Sequence, residues 1–192
     1  MAKPFLFLCS QSPRRSEILN LFKVPFNTTP NLLEFEPIPS YNEPPINFTA
    51  RVAKDKLFAS IAADDGIYMA VDTVVSIKKN ILGKPKTRED AFDMLSLLNG
   101  KIHQVTTCAV LYNTISKVTL FCLDYSQVLF KQATDNQLYN YIDSFKPFDK
   151  AGGYGIQDNP EFYKSIIGDF YTVMGLPINR LLKIFGAYGI VK

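Results

Sequence analysis

Phe5-Leu6-Phe7-Leu8-Cys9, followed directly by Ser10-Gln11-Ser12-Pro13-Arg14-Arg15, joins a short apolar run to small hydroxyl residues, a proline and two arginines. The apolar run reads as a buried strand. Residues 13–22, with Ile18, Leu19 and Phe22 at helical spacing, read as a helix. Ser12 suits the N-cap, and Pro13 suits the first helical position, where a missing N–H costs nothing. The N-terminus of such a helix presents free N–H groups and a partial positive charge. An anion there would be held by backbone, dipole and two guanidinium groups together. The stretch has the form of a polyphosphate site. The same residues also allow an exposed first turn that carries two solvated arginines behind a plain cap.

The 192 residues are enough for one domain with a substantial core. A hydrophobic fraction of 47% and a charged fraction of 20% are those of an ordinary globular protein and exclude extensive disorder. Net charge is +3, from 21 Lys and Arg against 18 Asp and Glu, with no block of like charges. That pattern disfavours a module that grips long nucleic acid through its backbone, and no stable nucleic-acid partner is expected. Cys9, Cys108 and Cys122 lie in apolar contexts with no C-x-x-C pair, so they read as buried thiols of a reducing compartment. The apolar run after residue 4 is too short for a signal peptide, and no stretch is long enough to span a bilayer. A cytoplasmic protein without membrane contact is expected. His103 is the only histidine, which excludes a multi-histidine metal centre. Its neighbours Ile102, Gln104 and Val105 alternate like a strand, so a hydrogen-bonded structural role is expected.

Along the chain, a short strand near Pro25 to Thr28 precedes a constrained, proline-rich loop over residues 30–46. Phe48, Val52, Ala53, Leu57 and Ile61 predict a helix from about Asn47 to Ala63, with Lys56 off its apolar stripe. Ile67 to Ile77 reads as a strand, Lys79-Asn80 as a turn, and Thr87 to Gly100 as a helix. Residues 102–112 and 117–130 predict a long antiparallel hairpin. A helix over Asp135 to Phe145, a glycine-rich turn at 150–157, a strand-like Tyr171 to Met174 and a C-terminal helix to about Phe185 complete the pattern. The implied fold class is α/β: a mixed, twisted sheet that includes the long hairpin, with helices on both faces.

Several polar residues stand where apolar ones are expected. Asp72 interrupts Tyr68-Met69-Ala70-Val71 and Val74-Val75, and a buried unpaired carboxylate costs several kcal/mol, roughly, so it must meet a cation, a metal or hydrogen-bond donors. General base, Mg²⁺ ligand and strand-end Asp bonded to a loop all remain open. Lys84, between Gly83 and Pro85, and Lys56 each fit either a phosphate or plain solvation. Gly152-Gly153-x-Gly155 lacks the spacing of a Walker loop or a dinucleotide fingerprint. It reads equally as a tight structural turn or as a close approach to a base, with Gln157 offering its amide.

Taken in order, Leu8-Cys9-Ser10-Gln11-Ser12-Pro13-Arg14-Arg15, Arg51-Val52-Ala53-Lys54-Asp55-Lys56, Asp72-Thr73-Val74-Val75, Gly83-Lys84-Pro85 and His103-Gln104-Val105 resemble the Maf family of nucleotide pyrophosphatases. Asp149 to Gln157 and Val173-Met174-Gly175-Leu176-Pro177 continue the match over nearly the whole chain. The resemblance implies one Maf-like domain over 1–192, with the fold shared by inosine triphosphatases. It implies hydrolysis of nucleoside triphosphates between the α and β phosphates, to monophosphate and pyrophosphate, with a divalent cation (Mg²⁺, Mn²⁺ or Co²⁺). By position, Ser10, Arg14, Arg15, Lys56 and Lys84 would hold the triphosphate. By the same resemblance Asp72 would accept the proton of the attacking water and Glu34 would assist the metal or the water; Asp72 and Glu34 are the candidate metal ligands, and for Asp72 the roles of base and ligand both stay open. Arg14, Thr73 and Gln157 match positions that separate branches of the family by substrate. Here they resemble the branch acting on dTTP and UTP, including modified pyrimidine nucleotides, in a house-cleaning role. Cys9 and Val71 stand where the family usually has Ala, swaps that bear on packing more than on chemistry. The family is also associated with arrest of septum formation, so the alternative is a non-catalytic nucleotide-binding regulator of cell division. A homodimer is the implied assembly.

Overall fold

Strand-like and helical segments alternate in the computed structural model, which describes residues 5–33, 37–159 and 162–191. In chain order they are β1 (Leu6–Cys9), α1 (Pro13–Leu21), β2 (Asn27–Thr29), α2 (Pro45–Ala59), β3 (Ile67–Ile77), β4 (Asn80–Leu82) and α3 (Arg88–Leu98). The long hairpin β5 (Ile102–Asn113) and β6 (Thr119–Phe130) follows, then α4 (Asp135–Phe145), a 3-10 turn at Ala151–Gly153, β7 (Tyr163–Ile167), α5 (Phe170–Met174) and α6 (Ile178–Ala187). The strands form one seven-stranded mixed sheet in the order β2-β1-β3-β5-β6-β7, with β4 also on β3. β1 is parallel to β2 and β3, and the rest of the sheet is antiparallel.

The two-residue period of β3 sorts its side chains between two layers. Ile67, Met69 and Val71 pack with Ile18 and Leu19 of α1 and with Leu181 and Phe185 of α6, and Val75 and Ile77 continue that face beneath α3 and α4. Tyr68 and Ala70 face the other way, onto Ala53 and Leu57 of α2, and Val74 meets Phe48 and Val52. Each fully buried Leu, Ile or Phe in these layers contributes about 1.5–3 kcal/mol, which makes the sheet a stiff frame. The same alternation puts Asp72 on the α2 face.

The expected α/β class, the hairpin and the helix over Asp135 to Phe145 are all present, and five local points are corrected. Tyr171 to Met174 is helical rather than a strand: the Asp169 carboxylate accepts from the Tyr171 and Thr172 amides, and Gly175 at φ +108° ends the turn. These end groups outweigh the β propensity of Tyr, Thr and Val. β7, which pairs with β6, has no counterpart in the reading above, because its alternation is short and half-exposed. The turn after β3 falls at Lys78-Lys79, with Lys78 at φ +55°, and Asn80 already belongs to β4. Ser12 occupies the N-cap position of α1, yet its side chain makes no capping bond. In addition, α2 runs from Pro45 to Ala59 rather than from Asn47 to Ala63. Its first proline needs no N–H partner, and the Ser60 hydroxyl donates to the Lys56 carbonyl at 2.7 Å to close the last turn.

Candidate active site

One edge of β3 is divided between two partners. β1 pairs with it as far as Leu8 opposite Met69, and β4 takes over at Val75 opposite Leu82, while β5 runs along the whole of the other edge. Residues 70–74 are left with no strand on that edge among the described residues. β1 leaves the sheet into Ser10–Ser12 and β4 leaves it into Gly83-Lys84, so two loops of opposite origin flank the gap. A cleft of about 660 Å³ opens there, beyond the carboxyl ends of the parallel strands, where open α/β sheets take their ligands.

Ser10, Arg14, Arg15, Lys56, Asp72 and Lys84 all line this cleft, as do Thr73 and Gln157. Asp72 is buried and Lys56 reaches it from the last turn of α2, Nζ to Oδ1 at 2.5 Å, which answers the carboxylate's need for a partner. The Arg15 guanidinium is held on two sides: Nη1 donates to Ser10 Oγ at 2.8 Å and Nε to the Gly175 carbonyl at 3.1 Å. Burial pushes its pKa down to about 10, with Asp72 opposing that and Arg14 adding to it, so it is still cationic at neutral pH. Arg14 Nη1 donates to Asp149 Oδ2 at 2.7 Å. Glu34 lies outside the described residues.

A family model described as Maf-like protein matches residues 5–188. The chain belongs to the Maf family. Curated relatives from Bacillus cereus ATCC 14579 and Aquifex aeolicus VF5, each named dTTP/UTP pyrophosphatase, are 39% and 38% identical to it, over 93% of this chain and 92% and 93% of their own lengths. A third, from Bacillus cytotoxicus and of the same name, is 38% identical over 92% of this chain and 91% of its own.

Three further charged side chains of this Maf protein, with no expected role above, also line the cleft: Lys86, Asp149 and Lys150. Lys150 bonds Asp149 at 2.9 Å and lies 3.6 Å from Asp158. Adjacent opposite charges ahead of a glycine turn were the available signal. Among the described residues, the cleft therefore gathers six cationic side chains, from Arg14, Arg15, Lys56, Lys84, Lys86 and Lys150, against the two carboxylates Asp72 and Asp149. The glycine turn itself is structural in its first half. Gly152, at φ +70°, packs on Val75 so closely that a Cβ would come within 3.0 Å, while Gly155 and Gln157 reach the cleft.

The divalent cation that the resemblance implies can be tested against these donors. No group of three or more His, Cys, Asp or Glu able to hold a metal occurs among the described residues. Mg²⁺, however, is commonly bound through one or two carboxylates with substrate phosphates and water completing its shell. Asp72 at the centre of the gap fits that role.

Proposed function

We propose that this chain hydrolyses dTTP, UTP and modified pyrimidine nucleoside triphosphates to the monophosphate and pyrophosphate, as a house-cleaning enzyme. One observation carries the reading: among the described residues, six cations from four separate parts of the chain surround a buried, ion-paired carboxylate, in a chain whose relatives are named dTTP/UTP pyrophosphatase over nine-tenths of their length. A triphosphate carries about four negative charges near neutral pH, matching the surplus of cations in the cleft. Ser10, Arg14, Arg15, Lys56 and Lys84 bind and orient the phosphates, and the guanidinium groups stabilise charge on the equatorial oxygens as the transferred phosphoryl loosens. Asp72 accepts a proton from the attacking water as the bond between the α and β phosphates breaks; pyrophosphate leaves with the bridging oxygen. Lys56 has three donors to share between Asp72 and a phosphate oxygen. A divalent cation, held by Asp72 and Glu34 together with the phosphates, would neutralise charge on the leaving pyrophosphate. Arg14, Thr73 and Gln157 set the preference for the base.

The family resemblance also supports one domain over 1–192, a homodimer and a cytoplasmic location; no helix among the described residues is long and apolar enough to cross a membrane. A non-catalytic regulator of cell division is not favoured, because the relatives bear the name of an enzymatic activity. Asp72→Asn keeps the size and the Lys56 contact but loses the base. Pyrophosphate release from dTTP with Mg²⁺ is expected to fall by about 10²–10⁴-fold, and a variant that turns over like wild type removes Asp72 from the reaction.

A further inference from the structure

On the face of β3 opposite Lys56, Thr73 stands in register with Thr107 of β5, their hydroxyl oxygens 3.0 Å apart. Geometry alone leaves the donor of that bond open, but the neighbours decide it. Thr107 Oγ1 lies 2.8 Å from the Thr172 carbonyl of α5, and a carbonyl only accepts, so the single hydroxyl proton of Thr107 is spent there. Thr107 is fully buried, with no water to turn to. At the shared contact, then, Thr73 must donate, since otherwise two lone pairs face each other. The next link runs the same way: Thr172 Oγ1 donates to Asp124 Oδ2 at 3.0 Å, a carboxylate that Arg180 Nε also meets at 3.0 Å. Each hydroxyl proton of the Thr73–Thr107–Thr172 relay therefore points away from the cleft.

We propose that Thr107 is a positioning residue for base selection: by taking the Thr73 proton, it leaves Thr73 with only lone pairs to present to the ligand. This rests on the nucleotide reading above and deepens it. An acceptor at that wall pairs with a ring N–H. Uracil and thymine carry one at N3, whereas cytosine has a bare lone pair at N3 that would face the lone pairs of Thr73. β-Branching stiffens the Thr73 side chain, so its hydroxyl has little freedom to swing aside. Gly175, whose carbonyl anchors Arg15, also approaches Thr73: a Cβ there would stand 3.3 Å from Thr73 Oγ1. One corner thus sets both a phosphate-binding cation and the base-facing hydroxyl.

The test compares kcat/KM for UTP and CTP, which differ only at the N3–C4 edge. Thr107→Val preserves shape and strand propensity but frees the Thr73 proton to turn toward the ligand. The UTP:CTP ratio is expected to fall about tenfold, the worth of one hydrogen bond, while Thr107→Ser keeps the wild-type ratio. A purely structural role would lower both substrates together and leave the ratio where it was. Thr73→Val, at a half-exposed position, is expected to lower the ratio as well, so the outcome does not depend on Thr107→Val folding. An unchanged or raised ratio in either valine variant overturns the inference. If Asp72→Asn is inactive in the same assay, the proposed function survives that failure; if it retains turnover, the functional reading falls on its own.

Discussion

His103 lies in β5 with Nε2 2.7 Å from the Tyr154 hydroxyl and its ring edge-on to Phe130 and Tyr154. Burial pushes its pKa down to about 4, against about 6.5 in an unfolded chain. Between these values the unfolded state takes up a proton that the folded state refuses. The contribution is therefore complete above pH ~6.5 and is lost as pH falls toward 4. Urea unfolding at pH 7 and pH 5 should show wild type losing about 2 kcal/mol more than His103→Gln over that interval; equal losses would refute the assignment. Its alternating neighbours already marked it as a structural histidine. The cysteines were equally legible. Burial raises the thiol of Cys108 to about 12 and that of Cys122 to about 11 and also pushes Cys9 up, so all three are neutral, buried side chains. Asp72 announced itself by interrupting an apolar strand, although the partner it needed could not be named from its neighbours.

Elements differ in how much of their conformation is encoded locally. α4 carries its own signals, a Thr134–Gln137 capping box and Leu138, Tyr141 and Ile142 on one face, and these suffice to set its bounds at Asp135 and Phe145. α5 has the local pattern of a strand, and its helicity depends on Asp169, whose carboxylate also meets Asn179 of α6. β4, three residues long, carries no period of its own and is a strand by virtue of its pairing with the edge of β3. The stretch of residues 37–44 before α2 is a further case. Ile38 and Tyr41 are 82% and 95% exposed, so packing does not hold it. Arg51 of α2 does, donating to both Glu43 oxygens at 2.9 and 2.7 Å and to the Ile38 carbonyl at 3.1 Å, and this guanidinium holds the Glu43 carboxyl down to about 2. Pro37, Ile38 and Pro39 line the cleft. Arg51→Ala should therefore raise KM for dTTP severalfold with little change in kcat, and steady-state kinetics at pH 7 checks this. An unaltered KM would show that the rim does not touch the nucleotide.

Across the whole molecule the charge is nearly balanced, +3 over 192 residues, yet among the described residues six cations meet two carboxylates in one cleft. Such a concave cationic field draws a polyanion in and weakens as salt screens it over about 10 Å at 0.1 M. KM for UTP is expected to rise severalfold between low and moderately high NaCl while kcat changes little; a flat response would mean that the cations are neutralised before substrate arrives. This concentration of charge was invisible in composition. The sequence by itself determined the longer strands and helices, the identity of most cationic side chains, and the anomaly of Asp72 within an apolar strand, since these follow from periodicities of two and 3.6 residues among near neighbours. Tertiary structure alone decided that β1 and β4 share an edge of β3 with a gap between them, and that Arg14 meets Asp149 135 residues away. It alone decided, too, that the Thr73 hydroxyl hands its proton to Thr107. Strand order and register are set by packing the entire sheet against its helices, and no local stretch of chain carries that information.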